Sequence, residues 1–151
     1  MSPLHRLRLR LKLAPAALFA GVRVEHVAHD RRSLTVALRP FWHWRQDANP
    51  HSGATLYAMV DPFFAWMAQA ALGAGYTVWD KSGAIEVLAP ARGRAWARLE
   101  LQDDDLRHIR KMTDSGDKHL HLFAADIRDA EGMAVARVQK MIYVRRKGHP
   151  T

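Results

Sequence analysis

The pattern of apolar and polar positions predicts short strands at both ends of a chain that has one long helix near its middle. Two early runs, 22–30 and 33–40, alternate apolar and polar residues and are separated by a charged turn, which predicts a hairpin. Residues 53–72 are apolar almost throughout, and a run of that length predicts a helix. An extended run at 76–90 and later runs at 93–102, 118–129 and 133–147 predict four more strands in hairpin succession.

These elements together predict the fold class. Successive hairpins imply an antiparallel sheet, and a sheet needs its apolar face covered. Only the central helix is long and apolar enough to cover it. We therefore predict an α+β fold, in which a curled antiparallel sheet of about six strands wraps around one long central helix. Residues 1–151 form one domain, and a short helix at 103–112 is expected to be capped by one of its three leading aspartates, Asp103, Asp104 or Asp105.

The N-terminal segment is ambiguous by pattern alone. Strict alternation over residues 6–13 favours a strand, but Leu4, Leu7 and Leu11 also share one helical face, and Pro15 ends either element. Basic residues interrupt the apolar ones throughout, so the segment lacks the continuous apolar region of a signal peptide. We interpret it as part of the mature protein.

Composition narrows the possible classes of protein. The chain has no cysteine, which excludes disulfides and thiolate chemistry and favours the cytoplasm, and no apolar run is long enough to span a membrane. The formal net charge of +8 is concentrated at the two ends, whereas the central body is mildly acidic. This distribution suits an anionic ligand bound at a rim better than a protein wrapped around nucleic acid.

One carboxylate, Asp61, lies in the middle of the apolar helix and is followed at once by Pro62. An unpaired buried carboxylate is costly, so its position needs an explanation. The small residues near it leave room for a ligand or for a second chain; they are Ala54, Ala58, Ala65 and Ala68. Gly53 begins the helix, where free amides and the helix dipole favour a negative oxygen. The two features could form a hydrolytic pair, and the alternative is a structural aspartate bound to a nearby tyrosine, arginine or backbone group.

Three motifs resemble one family over nearly the whole chain. They are GATLYAMVDPFF at the helix, VWDK on the next strand and YVRRKG near the end. The set is similar to the hotdog-fold proteins of the domain of unknown function 4442 family, which typically show G-G-S-L-Y-A-M-x-D-P, W-D-K and Y-V-R-R-K. The resemblance implies a hotdog fold with a helical N-terminal segment at about 3–20 and the central helix at about 53–72.

That family is similar in turn to phenylacetyl-CoA-type acyl-CoA thioesterases. Their helix opens with H-G-G and carries a catalytic aspartate eight residues after the first glycine, which corresponds to Gly53 and Asp61 here. The chain differs at two positions of that motif, because Ser52 replaces the histidine and Ala54 replaces the second glycine.

The resemblance implies hydrolysis of an acyl-CoA or related thioester without a cofactor, in a site between two subunits of a dimer or tetramer. The thioester carbonyl would rest on the amides of Gly53 and Ala54, and Asp61 would activate water or attack directly. Three further residues would orient water or substrate: Asn49, Ser52 and Tyr57. Arg145 and Lys147 face the same way near the end of the last strand and would meet the phosphates of coenzyme A.

Other constellations favour simpler interpretations. His119 and His121 face the same side of a strand, but no third ligand stands at a recognisable spacing, so no metal site is predicted. The aromatic residues of 42–44 are expected to pack at a sheet edge.

Two alternatives to the enzyme are a non-catalytic hotdog protein that binds an acyl or CoA ligand and, more remotely, a nucleic-acid binder. The basic ends carry no recognisable nucleic-acid motif, which disfavours the latter.

Overall fold

The computed structural model describes residues 21–38 and 51–148. The predicted N-terminal helix, the aromatic residues of 42–44 and Asn49 lie outside these ranges. Within them the strands are β1 (Val22–Val27), β2 (Ser33–Leu38), β3 (Tyr76–Val87), β4 (Ala95–Glu100), β5 (Lys118–Arg128) and β6 (Ala134–Arg146). The helices are α1 (Gly53–Ala58), α2 (Phe63–Leu72) and α3 (Asp103–Met112).

All six strands belong to one antiparallel sheet, in the order β1-β2-β4-β5-β6-β3. The predicted α+β fold, with a curled sheet around a central helix, is confirmed. The prediction of hairpin succession after the helix is wrong for β3, which pairs with β6 and not with β4. Alternation indicates which face a side chain takes, but it does not indicate which strand lies beside it. As a result β3 lies at an edge of the sheet formed by the described strands, and its residues from Trp79 to Ala84 are exposed.

The central helix spans the predicted residues 53–72 but is interrupted at Pro62. A turn over 59–62 joins α1 to α2, and within it the Phe63 N–H donates to the Val60 carbonyl. Proline is tolerated at this point because the first residues of a helix need no N–H donor. The expected sheet-facing side chains are buried, namely Leu56, Met59, Phe63 and Met67, and Trp66 is partly buried.

The short helix α3 lies at the predicted residues, but its cap differs from the prediction. The N-cap is Gln102, not an aspartate. Asp105 instead reaches back, and its Oδ2 accepts a hydrogen bond of 3.1 Å from the Gln102 backbone N–H. None of the helices in the described ranges is long and apolar enough to cross a bilayer.

Candidate active site

Asp61 lies in the turn between α1 and α2 and is paired with a lysine. The Nζ of Lys140, on β6, is 2.5 Å from Asp61 Oδ1. The Asp61 side chain is 47% exposed in the single chain, so this carboxylate is neither unpaired nor fully buried. The pairing with Lys140 offsets the energetic cost of placing a carboxylate in an apolar helix.

Lys140 is buried and has a full set of partners. Its side chain is only 2% exposed, and its ammonium has three N–H donors. Besides Asp61, it donates to the Tyr57 hydroxyl at 3.0 Å and lies 3.0 Å from Asp80 Oδ1 on β3. We call Tyr57, Asp61, Asp80 and Lys140 the carboxylate–lysine cluster. It links the central helix, the edge strand and β6.

Lys140 attracts both carboxylates of this cluster, whereas the charge of Asp61 adds to the rise in the pKa of Asp80. Burial by itself lowers the pKa of Lys140, but hydrogen bonds to Asp61, Tyr57 and Asp80 outweigh it, so this pKa lies above its ordinary value. Burial raises the pKa of Asp80, and the contact with Lys140 offsets only part of that effect. Lys140 therefore stays charged at any ordinary pH and holds both carboxylates in place.

Two features of β3 shape the cluster. The pairing of β3 with β6 shifts register between Asp80 and Ser82, and such bulges re-aim side chains next to functional sites. At Gly83, a methyl group would overlap the Tyr57 hydroxyl and crowd the Lys140 side chain. Glycine at this position therefore lets the hydroxyl reach Lys140.

The sequence interpretation missed Lys140 and did not assign a role to Asp80. One signal for Lys140 was available, because β6 alternates and Lys140 occupies an inward position between the buried residues Val138 and Ile142. A lysine at an inward position of a strand needs a buried partner. Asp80 belongs to the VWDK motif, but its spacing from Asp61 in sequence gives no indication that they meet.

The start of α1 contains the other predicted residues. Ser52 is the N-cap, and its Oγ accepts a hydrogen bond of 3.2 Å from the Thr55 N–H. Serine is a favoured cap, which explains why it can stand where the related motif has histidine. A methyl group at Gly53 would make an ordinary contact of 3.5 Å with Val87, so this glycine is not required by sterics in the single chain.

Gly53 begins α1, whereas Asp61 lies in the turn that follows it. Eight residues separate them, and a helical rise of 1.5 Å per residue corresponds to about 12 Å. A substrate carbonyl group that accepts a hydrogen bond from the Gly53 amide would need to lie roughly 3 Å from that amide and roughly 3 Å from the attacking group. Along the central helix the two backbone positions are therefore much further apart than this contact distance.

The predicted phosphate-binding residues lie at the exposed end of β6. Arg145 Nε donates to the Gly116 carbonyl at 2.8 Å, and Lys118 is its neighbour on β5. Arg146 pairs with Asp114 at 2.7 Å. Arg145 and Lys147 are both exposed, so their side chains are accessible to an anion.

Comparison with known proteins identifies the family and the fold. A family model described as "Domain of unknown function (DUF4442)" matches residues 7–144. None of the curated proteins matches the sequence.

Several solved structures share the fold over nearly the whole chain. A Pseudomonas aeruginosa protein of unknown function, described as "Probable Thioesterase", is 13% identical with a TM-score of 0.79, covering 97% of this chain and 98% of that one. A thioesterase from Haemophilus influenzae is 15% identical with a TM-score of 0.68, covering 99% and 96%. At such identities the likeness establishes the hotdog fold and nothing about the reaction.

Proposed function

This chain belongs to the DUF4442 family and has the hotdog fold, and on that basis we propose that it hydrolyses an acyl-CoA or related thioester. The observation that carries the proposal is the geometry of Asp61. Lys140 binds its Oδ1, whereas within the described ranges its Oδ2 makes no hydrogen bond. The carboxylate is thus fixed in orientation by a buried ammonium and is still half-exposed. These properties suit a group that acts on a substrate.

Two routes use this carboxylate. In the first, Asp61 accepts a proton from water while the water oxygen bonds to the thioester carbonyl carbon, and the carbonyl oxygen becomes an oxyanion. The carbon–sulfur bond then breaks, sulfur keeps the electron pair, and the proton on Asp61 passes to the thiolate. In the second, an Asp61 oxygen itself bonds to the carbonyl carbon and expels the thiolate, and water then hydrolyses the anhydride. The amides of Gly53 and Ala54 are proposed to hold the oxyanion in both routes.

The proposed site is formed by two copies of the chain. The separation of Gly53 from Asp61 along the central helix supports this arrangement, and β3, an edge strand of the described sheet, lies beside Asp80 where a second copy would pack. A dimer, or a dimer of dimers, would cover this edge. Ser52 and Tyr57 are proposed to orient substrate or water, as is Asn49, and Arg145 and Lys147 to contact the phosphates of coenzyme A. The chemistry needs no cofactor.

The test is turnover of a panel of acyl-CoAs by the wild-type protein and by Asp61→Asn. The amide keeps the side-chain volume but cannot accept the proton or attack, so we expect turnover to fall by about two to four orders of magnitude. Asp126→Asn is the matched control, because Asp126, on β5, is also a partly exposed carboxylate paired with a cation, Arg137. Turnover of that variant should stay near the wild-type value.

The ion pair between Asp61 and Lys140 also supports an alternative function, which is ligand binding without hydrolysis. A carboxylate held by a buried lysine can serve the fold alone, and the protein would then bind an acyl or CoA ligand without hydrolysing it. In that case the wild-type protein binds acyl-CoA in calorimetry but turns over no member of the panel. Hydrolysis that survives in Asp61→Asn, with only the melting temperature changed, would equally contradict a catalytic Asp61.

A further inference from the structure

Three histidines lie together on a part of the molecule that the proposed reaction does not use. His119 and His121 are on β5, and His108 is on α3, which packs against β5. The ring centroids of His119 and His121 are 5.6 Å apart, and that of His108 is 5.1 Å from His119 and 6.0 Å from His121. We call these three residues the histidine cluster.

Two ring nitrogens of the cluster already face each other. His119 Nε2 and His121 Nδ1 are 3.4 Å apart. Zinc binds histidine nitrogen at about 2.0–2.1 Å in tetrahedral geometry, which puts two nitrogens on one ion about 3.3 Å apart. The observed separation therefore matches that of two ligands on the same ion.

A carboxylate fixes the required tautomer of His121. Asp105 Oδ1 is 3.1 Å from His121 Nε2, on the far side of the ring from His119. The carboxylate can only accept, so Nε2 carries the hydrogen and the lone pair of Nδ1 points towards His119. A carboxylate that accepts from the second ring nitrogen of a metal-bound histidine is a recurrent feature of metal sites.

The surroundings also favour the neutral, metal-binding form. Burial lowers the pKa of His119, and the neighbouring His121 and His108 lower it further. A metal ion competes with protons for the same nitrogens, so a histidine that resists protonation is a better ligand near neutral pH.

His108 can supply the third nitrogen. As the side chains stand, no three histidine, aspartate or glutamate groups in the described ranges surround a common point. Ligand rings on one tetrahedral ion have centroids about 5 Å apart, so His108 must move closer chiefly to His121. His108 is exposed, so its side chain is free of the close packing that holds a buried ring in one rotamer.

We propose that His108, His119 and His121 form a binding site for a divalent transition ion such as Zn²⁺, with Asp105 orienting His121. Water would complete the coordination. Since two ligands come from β5 and one from α3, the bound ion fastens this helix to the sheet. The site is independent of the proposed thioester hydrolysis, because it uses none of the residues of the carboxylate–lysine cluster.

The test is titration of tag-free, chelator-treated protein with Zn²⁺ in calorimetry, together with melting curves. We expect one ion per chain and a higher melting temperature with the ion bound. His108→Ala, His119→Ala and His121→Ala should each weaken binding at least tenfold, and Asp105→Asn by about 10- to 100-fold. His26→Ala and His29→Ala are the matched controls, because both remove exposed histidines of β1 and its turn, away from the cluster.

Two results would overturn the proposed zinc site. Zinc binding that is absent, or that falls as much in the His26 and His29 controls as in the cluster variants, would mean non-specific adsorption. Full affinity in His108→Ala would show that α3 contributes no ligand, which would refute the site as proposed. Melting curves without zinc identify any variant that fails to fold, and His121→Gln then replaces His121→Ala.

Discussion

At the scale of single residues, Lys140 determines the position and the charge balance of the two carboxylates in the candidate site. It is the only fully buried charged side chain among the described residues, and its three N–H donors meet three oxygens on two other elements. A lysine at this position neutralises much of the charge that two nearby carboxylates bring together. It also leaves one oxygen of Asp61 available to a substrate.

We predict that Lys140→Met lowers the free energy of unfolding by about 2–3 kcal/mol. Removing one partner of a buried ion pair typically costs about 3–5 kcal/mol, and partial exposure of Asp61 and Asp80 lets water recover some of it. Urea denaturation measures the change, with Lys81→Met as the exposed control on β3. Adding Asp61→Asn and Asp80→Asn to Lys140→Met should restore most of the lost stability. A Lys140→Met protein as stable as the wild type would mean that the ion pairs do not support the fold.

At the scale of elements, the contact between α3 and β5 should depend on pH. The pKa of His119 is lowered from 6.5, so the unfolded chain takes up this proton before the folded one as the pH falls. This contribution to stability is present above about pH 6.5 and is lost as the pH falls through the folded-state value. His108 and His121 both lower the pKa of His119 further, and Asp105 Oδ1 lies 3.1 Å from His121 Nε2.

The measurement is the free energy of unfolding between pH 5 and 8 in the presence of a chelator. Wild-type stability should decrease on acidification, and His119→Gln should flatten this dependence because glutamine does not titrate. His29→Gln should leave the profile as it is. A profile unchanged by His119→Gln would contradict the assigned role of His119.

The end of β6 is the second element that carries a prediction. If coenzyme A phosphates bind there, Arg145→Ala or Lys147→Ala should raise the Michaelis constant for acyl-CoA several-fold with little change in turnover. The effect should shrink with added salt, because exposed phosphate contacts are screened. Arg146→Ala is the control, since Arg146 is already paired with Asp114. For short thioesters that lack the nucleotide, both variants should have the Michaelis constant of the wild type. An equal rise for these substrates would mean that the phosphates of coenzyme A bind elsewhere.

At the scale of the whole molecule, the proposed site predicts complementation between two inactive proteins. Asp61→Asn removes the reacting carboxylate, and Ala54→Pro removes one amide donor at a position where the first helical turn tolerates proline. In a two-fold dimer each site takes Asp61 from one copy and the amides from the other. A mixed dimer of the two variants therefore has one intact site.

After exchange of subunits in an equal mixture, activity should recover to about a quarter of the wild-type value, because half of the dimers are mixed and each has one working site of two. Each variant alone should remain inactive after the same treatment. Light scattering of the wild-type protein should report at least a dimer. A monomer at micromolar concentration, or a mixture that gains no activity, would contradict the shared site.

The sequence alone determined the elements and supplied candidate site residues. Alternation predicted β1, β2 and β4 to β6, and the apolar run predicted the central helix, because both patterns record which face each residue turns to the core. Spacing also singled out Gly53 and Asp61. The predictions of strands and helix succeed because they depend on residues that are close in sequence, whereas the roles of Gly53 and Asp61 stay predictions.

Only the tertiary structure decided which distant residues meet. Strand pairing sends β3 to β6, and this brings Asp80 and Lys140 to Asp61 although 79 residues separate Lys140 from Asp61. The packing of α3 on β5 likewise brings His108 to a pair of histidines for which the sequence offered no third partner. A periodic pattern fixes the face of a strand or helix but leaves its neighbour open, and the neighbour is chosen by how all the elements together bury the core.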